Sequence, residues 1–146
     1  MFKFPCDISF VHRDSENRPP NDRKAEIGAA IAGVGHPYAP VVPVRMTEAW
    51  LLSDQHAIRA AANNPNGTVP LPIPARGQWE ALSDPKSVLF ELLRTASELP
   101  TRRLRKFRPE AARYRVAELT TDFSALRPLS AFATLEVDLD VALDAI

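Results

Sequence analysis

The chain has 146 residues, the size of one ordinary domain, and its 45% hydrophobic and 25% charged content excludes a disordered chain. Its 18 basic and 18 acidic residues cancel, which removes any general electrostatic case for nucleic-acid or membrane binding; a single cysteine, Cys6, excludes an internal disulfide and a cysteine-based zinc cluster. No apolar run is long enough to span a bilayer and the amino terminus lacks the layout of a secretory signal, so the expectation is a cytoplasmic protein without membrane contact.

Residues 7–12 read as a short buried strand, apolar at Ile8, Phe10 and Val11, whose carboxyl end carries His12, Arg13, Asp14 and Glu16. In an extended chain, side chains at i and i+2 face the same way, so Asp14 and Glu16 would set their carboxylates side by side as a ledge for a divalent cation. The plainer alternative is a strand ending in a polar turn. Pro19-Pro20 makes 17–22 a loop, and a helix is predicted from Asp22 or Arg23, capped by Asn21 or Asp22, to Gly33 or Gly35. Ile27, Ala30 and Ile31 give it an apolar side of small residues able to lie close on a sheet. "VVPVRM", residues 41–46, reads as a second strand that Pro43 either places at a sheet edge or interrupts. Strand, helix and strand in this order make a βαβ unit with parallel strands and a right-handed connection. In open parallel sheets, sites form beyond the carboxyl ends of the strands, where Asp14, Glu16 and Thr47-Glu48 are expected.

Thr47 is a credible cap for a helix through "TEAWLL", and Asp54 for its continuation to Ala62. Residues 63–82 are rich in Pro, Asn and Gly and read as a long loop. Asn66-Gly67-Thr68 within it matches a glycosylation sequon, an accidental match in a chain without an export signal. From Ser83 onward the pattern is helical. Ser83-Asp84-Pro85 is a start signal, Val88, Leu89, Leu92, Leu93, Ala96 and Leu99 follow helical spacing, and Pro100 ends the helix. Arg102 to Phe107 makes a basic turn or short helix. Pro109 opens a helix to about Asp122 with Ala112, Val116 and Leu119 inward, and Ser130 caps a last one carrying Phe132, Leu135, Leu139 and Leu143. The expected architecture is α/β in a single domain, 1–146, with a small parallel βαβ core over 1–62, a loop over 63–82 and a helical portion over 83–146.

Charge is polarised along this plan. Seven basic residues and one acid lie between Arg102 and Arg115, whereas six acids and one arginine lie between Glu118 and Ile146. Arg102, Arg103, Arg105 and Lys106 suit the neutralisation of nucleic-acid backbone phosphates without reading sequence. The alternatives are a solvated basic face, or pairing with the acidic last helix.

His12-Arg13-Asp14 matches the opening of the protein-kinase catalytic loop, but position 19, where that loop needs a metal-binding asparagine, is Pro19, and no Gly-rich loop is present. His12, His36 and His56 lack zinc spacing and read as structural or surface histidines. What remains are acids near strand ends, which suit a hard cation such as Mg²⁺, able to neutralise phosphate oxygens and activate a water.

"VHRDSEN" with an arginine-led helix, "VVPVRMTEAWLL", "DPKSVLFELLRTAS", "KFRPEAARYRVAEL" and "FSALRPLSAFATLEVDL" together resemble an uncharacterised, Toprim-like bacterial family catalogued as domain of unknown function 4276. The resemblance runs from Asp7 to Leu143, and Glu48 to Leu52 is its most specific element. It implies a Toprim-like sheet in which an Asp-x-Asp pair at a strand end holds Mg²⁺, here Asp14 and Glu16, with glutamate in the second place. It also matches Glu48 to the family's Glu-Ala-Trp glutamate, which would assist as ligand or base. Toprim units carry a further glutamate on an earlier strand; only six residues precede Asp7, so that strand, its helix and its glutamate are expected to be missing.

Two functions follow from these readings. The first is a Mg²⁺-dependent phosphodiester-cleaving protein, with Asp14 and Glu16 on the metal, Glu48 catalytic, and Arg102, Arg103, Arg105 and Lys106 on the backbone. The second is a catalytically inactive Toprim-like module that docks on a partner protein such as an ATPase, or on itself. Met1-Phe2-Lys3-Phe4 would form a strand stub, and Phe2 and Phe4 beside an unfinished sheet edge would favour a homodimer.

Overall fold

A computed structural model describes residues 5–146 and shows a mixed α/β chain that falls into two compact units. One unit holds the described residues up to Met46 together with Arg127–Ile146; the other is continuous, Thr47–Leu126. The last helix thus belongs with the sheet, although its place in the sequence groups it with the helical portion. The strand stub and edge pairing expected of Phe2 and Phe4 lie outside the described residues. Among the described residues, no helix is long and apolar enough to cross a membrane.

In the sheet unit, strand β1 (Ser9–His12) leads into helix α1 (Pro20–Ile31) and then strand β2 (Tyr38–Val41), the expected βαβ order. The strands pair in parallel, Ser9 opposite Tyr38 and His12 opposite Val41. Both differ in detail from the sequence reading. Phe10, expected inward, is 60% exposed, because the short strand alternates half-buried and exposed residues from Ser9 onward. The second strand is Tyr38–Val41 rather than residues 41–46, and backbone hydrogen bonding explains why. The N–H groups of Ser9, Arg13 and Ser15 donate to the carbonyls of Pro37, Val41 and Pro43, so the odd-numbered residues face β1. Pro40 therefore puts its missing N–H on the outward edge, whereas Pro43 falls on the inward row with no N–H to return, and the strand stops before it.

Helix α1 starts earlier than predicted, with Pro19 at the cap position and Pro20 in the first turn; proline lacks the N–H that an uncapped helix start would leave unpaired. Asn21 and Asp22, expected as caps, lie inside the first turn. Gly28 brings this helix close to β2, since a Cβ there would sit 3.2 Å from the Tyr38 hydroxyl. After α1, Gly35 takes a φ of 61°, the left-handed turn that returns the chain to β2. Helix α6 (Ser130–Leu143) packs against β2 and is tied to α1 by Lys24, whose ammonium donates to Asp138 at 2.7 Å. Its cap position is Leu129, not Ser130, and Leu143 at its end is 51% exposed.

In the second unit a 3₁₀ helix, Thr47–Ser53, replaces the expected α-helix and buries Ala49, Trp50 and Leu52. Helix α2 (Gln55–Ala61) begins at Asp54, whose carboxylate accepts the Ala57 N–H at 2.9 Å. The predicted loop contains a second 3₁₀ helix, Arg76–Ala81, which buries Trp79; the indole N–H donates to the Pro74 carbonyl at 2.8 Å. Helix α3 (Pro85–Ser97) turns Leu89, Leu92, Leu93 and Ala96 inward as its spacing predicts. A single turn, α4 (Thr101–Leu104), and helix α5 (Pro109–Leu119) follow. Helices α2, α3 and α5 pack on one another, and Ala112 and Val116 are buried, but Leu119, expected inward, is 41% exposed because the helix ends there. Each fully buried leucine at this centre contributes about 2 kcal/mol of apolar transfer free energy.

Asp84 supplies a pH-dependent prediction. Its carboxylate accepts the Ser87 hydroxyl at 2.6 Å and the Ser87 N–H at 2.9 Å, and these bonds hold its pKa below the ordinary 3.8. A depressed carboxylate stabilises the fold above the unfolded-state value and loses that contribution as pH falls through the folded-state value. Asp84→Ala is therefore expected to lower the melting temperature at neutral pH, with the difference from wild type narrowing below about pH 3.8. Thermal melts at neutral and acidic pH check this.

Candidate functional site

The acidic strand end is built by a turn rather than by a continued strand. Ser15 is buried at the end of the hydrogen-bonded run, and its hydroxyl donates to the Arg18 carbonyl at 2.6 Å. Glu16 and Asn17 then take φ angles of 50° and 68°, in the left-handed region. Extended geometry ends there, so the i, i+2 relation that would align Asp14 with Glu16 does not hold. An Asp14 carboxylate oxygen lies 3.1 Å from His12 Nε2. The Glu16 carboxylate accepts from Arg23 Nη2 at 2.9 Å, and Arg23 Nη1 donates to Glu26 at 2.8 Å. The Arg23 side chain is only 4% exposed and acts as the ionic anchor of this turn. Glu26 has its pKa lowered, first by the Arg23 hydrogen bond and further by the charge of Arg13.

Glu48 lies in the first turn of the 3₁₀ helix and accepts from Arg113 of α5. The pair is well covered, with side chains 13% and 22% exposed. Arg113 also donates to the Tyr114 hydroxyl at 2.9 Å. Burial alone would lower its pKa, but the hydrogen bonds to Glu48 and Tyr114 outweigh burial and raise it, so the guanidinium stays charged.

Within each unit, then, the predicted acids meet cationic or imidazole groups of that unit. Among the described residues, no three His, Cys, Asp or Glu side chains are grouped so as to hold a metal ion. The donor set implied for Mg²⁺ does not fit as arranged. Glu16 is committed to a guanidinium, and hard-cation sites are made of converging oxygens.

The basic segment has a different character. Arg102, Arg103, Arg105 and Lys106 are all exposed around α4, and among the described residues none of them pairs with a carboxylate. On the last helix, Asp138 pairs with Lys24 and Glu136 with Arg127 at 3.0 Å, both within the sheet unit. Arg103 and Lys106 line a cleft of about 360 Å³, together with Arg108 and Arg115 of the α5 region, Phe107 and Leu99. Among the described residues, no acidic side chain lines it. Arg115 is held in place by donating to the Asn63 side chain and to the Ala61 carbonyl at 3.3 Å. Sequence reasoning counted Arg108 and Arg115 in the basic stretch but did not place Arg115 in one cleft with the run. The signal was present: Arg108, Ala111, Ala112 and Arg115 follow i, i+3, i+4, i+7 spacing, one face of a helix.

Compared with known proteins, the chain matches no family model, no curated protein and no solved structure. The functional reading therefore rests on the residues and their geometry.

Proposed function

We propose that this is a Toprim-like protein that binds the phosphate backbone of nucleic acid through the basic segment at α4. The observation that carries the reading is the exposure of Arg102, Arg103, Arg105 and Lys106 with no carboxylate partner among the described residues. Four such cations within five positions attract a polyanion by releasing its counterions, whatever the net charge of the chain. The parallel βαβ order, with an acid just beyond the carboxyl end of β1, supports the Toprim-like part.

The test is binding of fluorescent single-stranded and duplex oligonucleotides over a range of salt. Binding should weaken linearly in log–log terms as salt rises. Arg102→Ala with Arg105→Ala should weaken it further and make the slope shallower by about 2, one for each phosphate that is no longer neutralised. Absence of binding at low salt, or a slope that the double substitution leaves unchanged, overturns the reading.

A second reading, metal-dependent cleavage, would rest on Asp14 without Glu16 and has one observation behind it. Asp14 is half-buried just past the end of a parallel strand, with the His12 imidazole against one carboxylate oxygen. A Mg²⁺ or Mn²⁺ titration followed by thermal shift tests it. Saturable stabilisation that Asp14→Asn abolishes supports a metal ledge, and none up to millimolar metal removes it.

A further inference from the structure

We infer that the cleft beside α4 recognises the phosphorylated end of a nucleic-acid single strand, with the terminal phosphate among its cations and the adjoining base against Phe107. The inference deepens the phosphate-binding reading and rests on it.

Three features separate the cleft from an ordinary basic face. The first is convergence. Arg103 and Lys106 come from α4 and the turn after it, Arg108 and Arg115 from the start and the second turn of α5, and all four line one depression without an acid among the described residues that form it. A phosphodiester within a strand carries one negative charge, whereas a terminal phosphate monoester carries about 1.5 to 2 at neutral pH, so clustered cations discriminate in favour of the end. The second is preorganisation. The Arg115 guanidinium is pinned by Asn63 and by carbonyls at the end of α2, Ala61 at 3.3 Å and Ala60 at 3.5 Å, so little side-chain freedom is lost on binding. The third is the mixed lining. Phe107, Leu99, Ala111 and Ala112 supply an apolar wall beside the cations, and a base stacks on an aromatic ring whatever its identity. At about 360 Å³ the cleft has the size of a small-ligand site, which suits one nucleotide and not a duplex.

The experiment compares a short fluorescent oligothymidine carrying a 5′-phosphate, a 3′-phosphate or hydroxyls at both ends, with inorganic phosphate as competitor. The expected result is about tenfold tighter binding of one phosphorylated form over the hydroxyl form, the scale of an added charge-assisted contact. Arg108→Ala should remove most of that preference. Phe107→Leu, which keeps apolar volume but removes the ring, should weaken the phosphorylated oligonucleotide without changing competition by inorganic phosphate. Equal binding of all three forms, with the salt dependence intact, overturns the end-recognition inference and leaves backbone binding standing. No binding of any form overturns both. Competition by inorganic phosphate as strong as by the phosphorylated oligonucleotide overturns the strand-end assignment in favour of a free-anion site.

Discussion

Replacing Gly67 by alanine is expected to destabilise the second unit by about 1–3 kcal/mol, the range for overpacking. A Cβ at this position would lie 2.5 Å from Asn64 Nδ2, 2.6 Å from Glu98 Oε1 and 3.0 Å from Arg59 Nη1. These are side-chain ends, but none is free to swing. Asn64 Nδ2 donates to the Ala96 carbonyl at 2.9 Å, Glu98 Oε1 accepts the Val69 N–H at 2.9 Å, and Arg59 donates to the Val69 carbonyl at 2.7 Å. Together they staple the 63–70 segment onto α2 and α3, with the Arg59 side chain only 7% exposed. One methyl group would loosen all three at once. Thr68→Ala, at the neighbouring position, should change stability by no more than about 0.5 kcal/mol. Urea unfolding of both variants gives the comparison, and a neutral Gly67→Ala would mean that the staple is slack.

Glu48→Ala is expected to cost about 2 kcal/mol. Breaking one side of a fully buried ion pair costs about 3–5 kcal/mol, and the residual exposure of Glu48 and Arg113, 13% and 22%, brings the figure down. Glu48→Gln, which keeps the shape and one acceptor, should cost about half as much. A double-mutant cycle with Arg113→Ala should show coupling, because the second substitution removes the charge that the first leaves uncompensated. The outcome bears on function. A glutamate kept for chemistry alone would tolerate the glutamine change with no loss of stability, whereas one that fixes the 3₁₀ helix to α5 would not.

How much of this was legible in the sequence depended on how local the cause was. Asp54 and Asp84-Pro85 were readable because a cap is decided by a carboxylate and an N–H three residues away. The inward face of α3 was readable because helical spacing repeats within a single element. The second strand was not, because Val41 to Val44 look like a strand in isolation, and only the row of acceptors facing β1 decides that Pro40 is tolerated and Pro43 is not. That Glu16 turns away from extended geometry was not legible for a similar reason. The alternation rule assumes extended backbone, and the left-handed turn is stabilised by Arg23, seven residues further on. Trp79 in a proline-rich stretch gave no periodic signal, since its burial depends on a single side chain.

The division of the chain also has a consequence for its order of folding during synthesis. Thr47–Leu126 is continuous, and its core of α2, α3 and α5 is complete once those residues have left the ribosome. The strand pair is made first but lacks the helix that covers β2 until Arg127–Ile146 has followed. Domains usually condense in the order in which they are translated. Here that order is reversed for this pair of units: the strands are translated before the continuous unit but gain their covering helix only after it. An exposed Phe10 and an uncovered strand pair therefore persist while the second unit forms, a stretch on which a chaperone has reason to act.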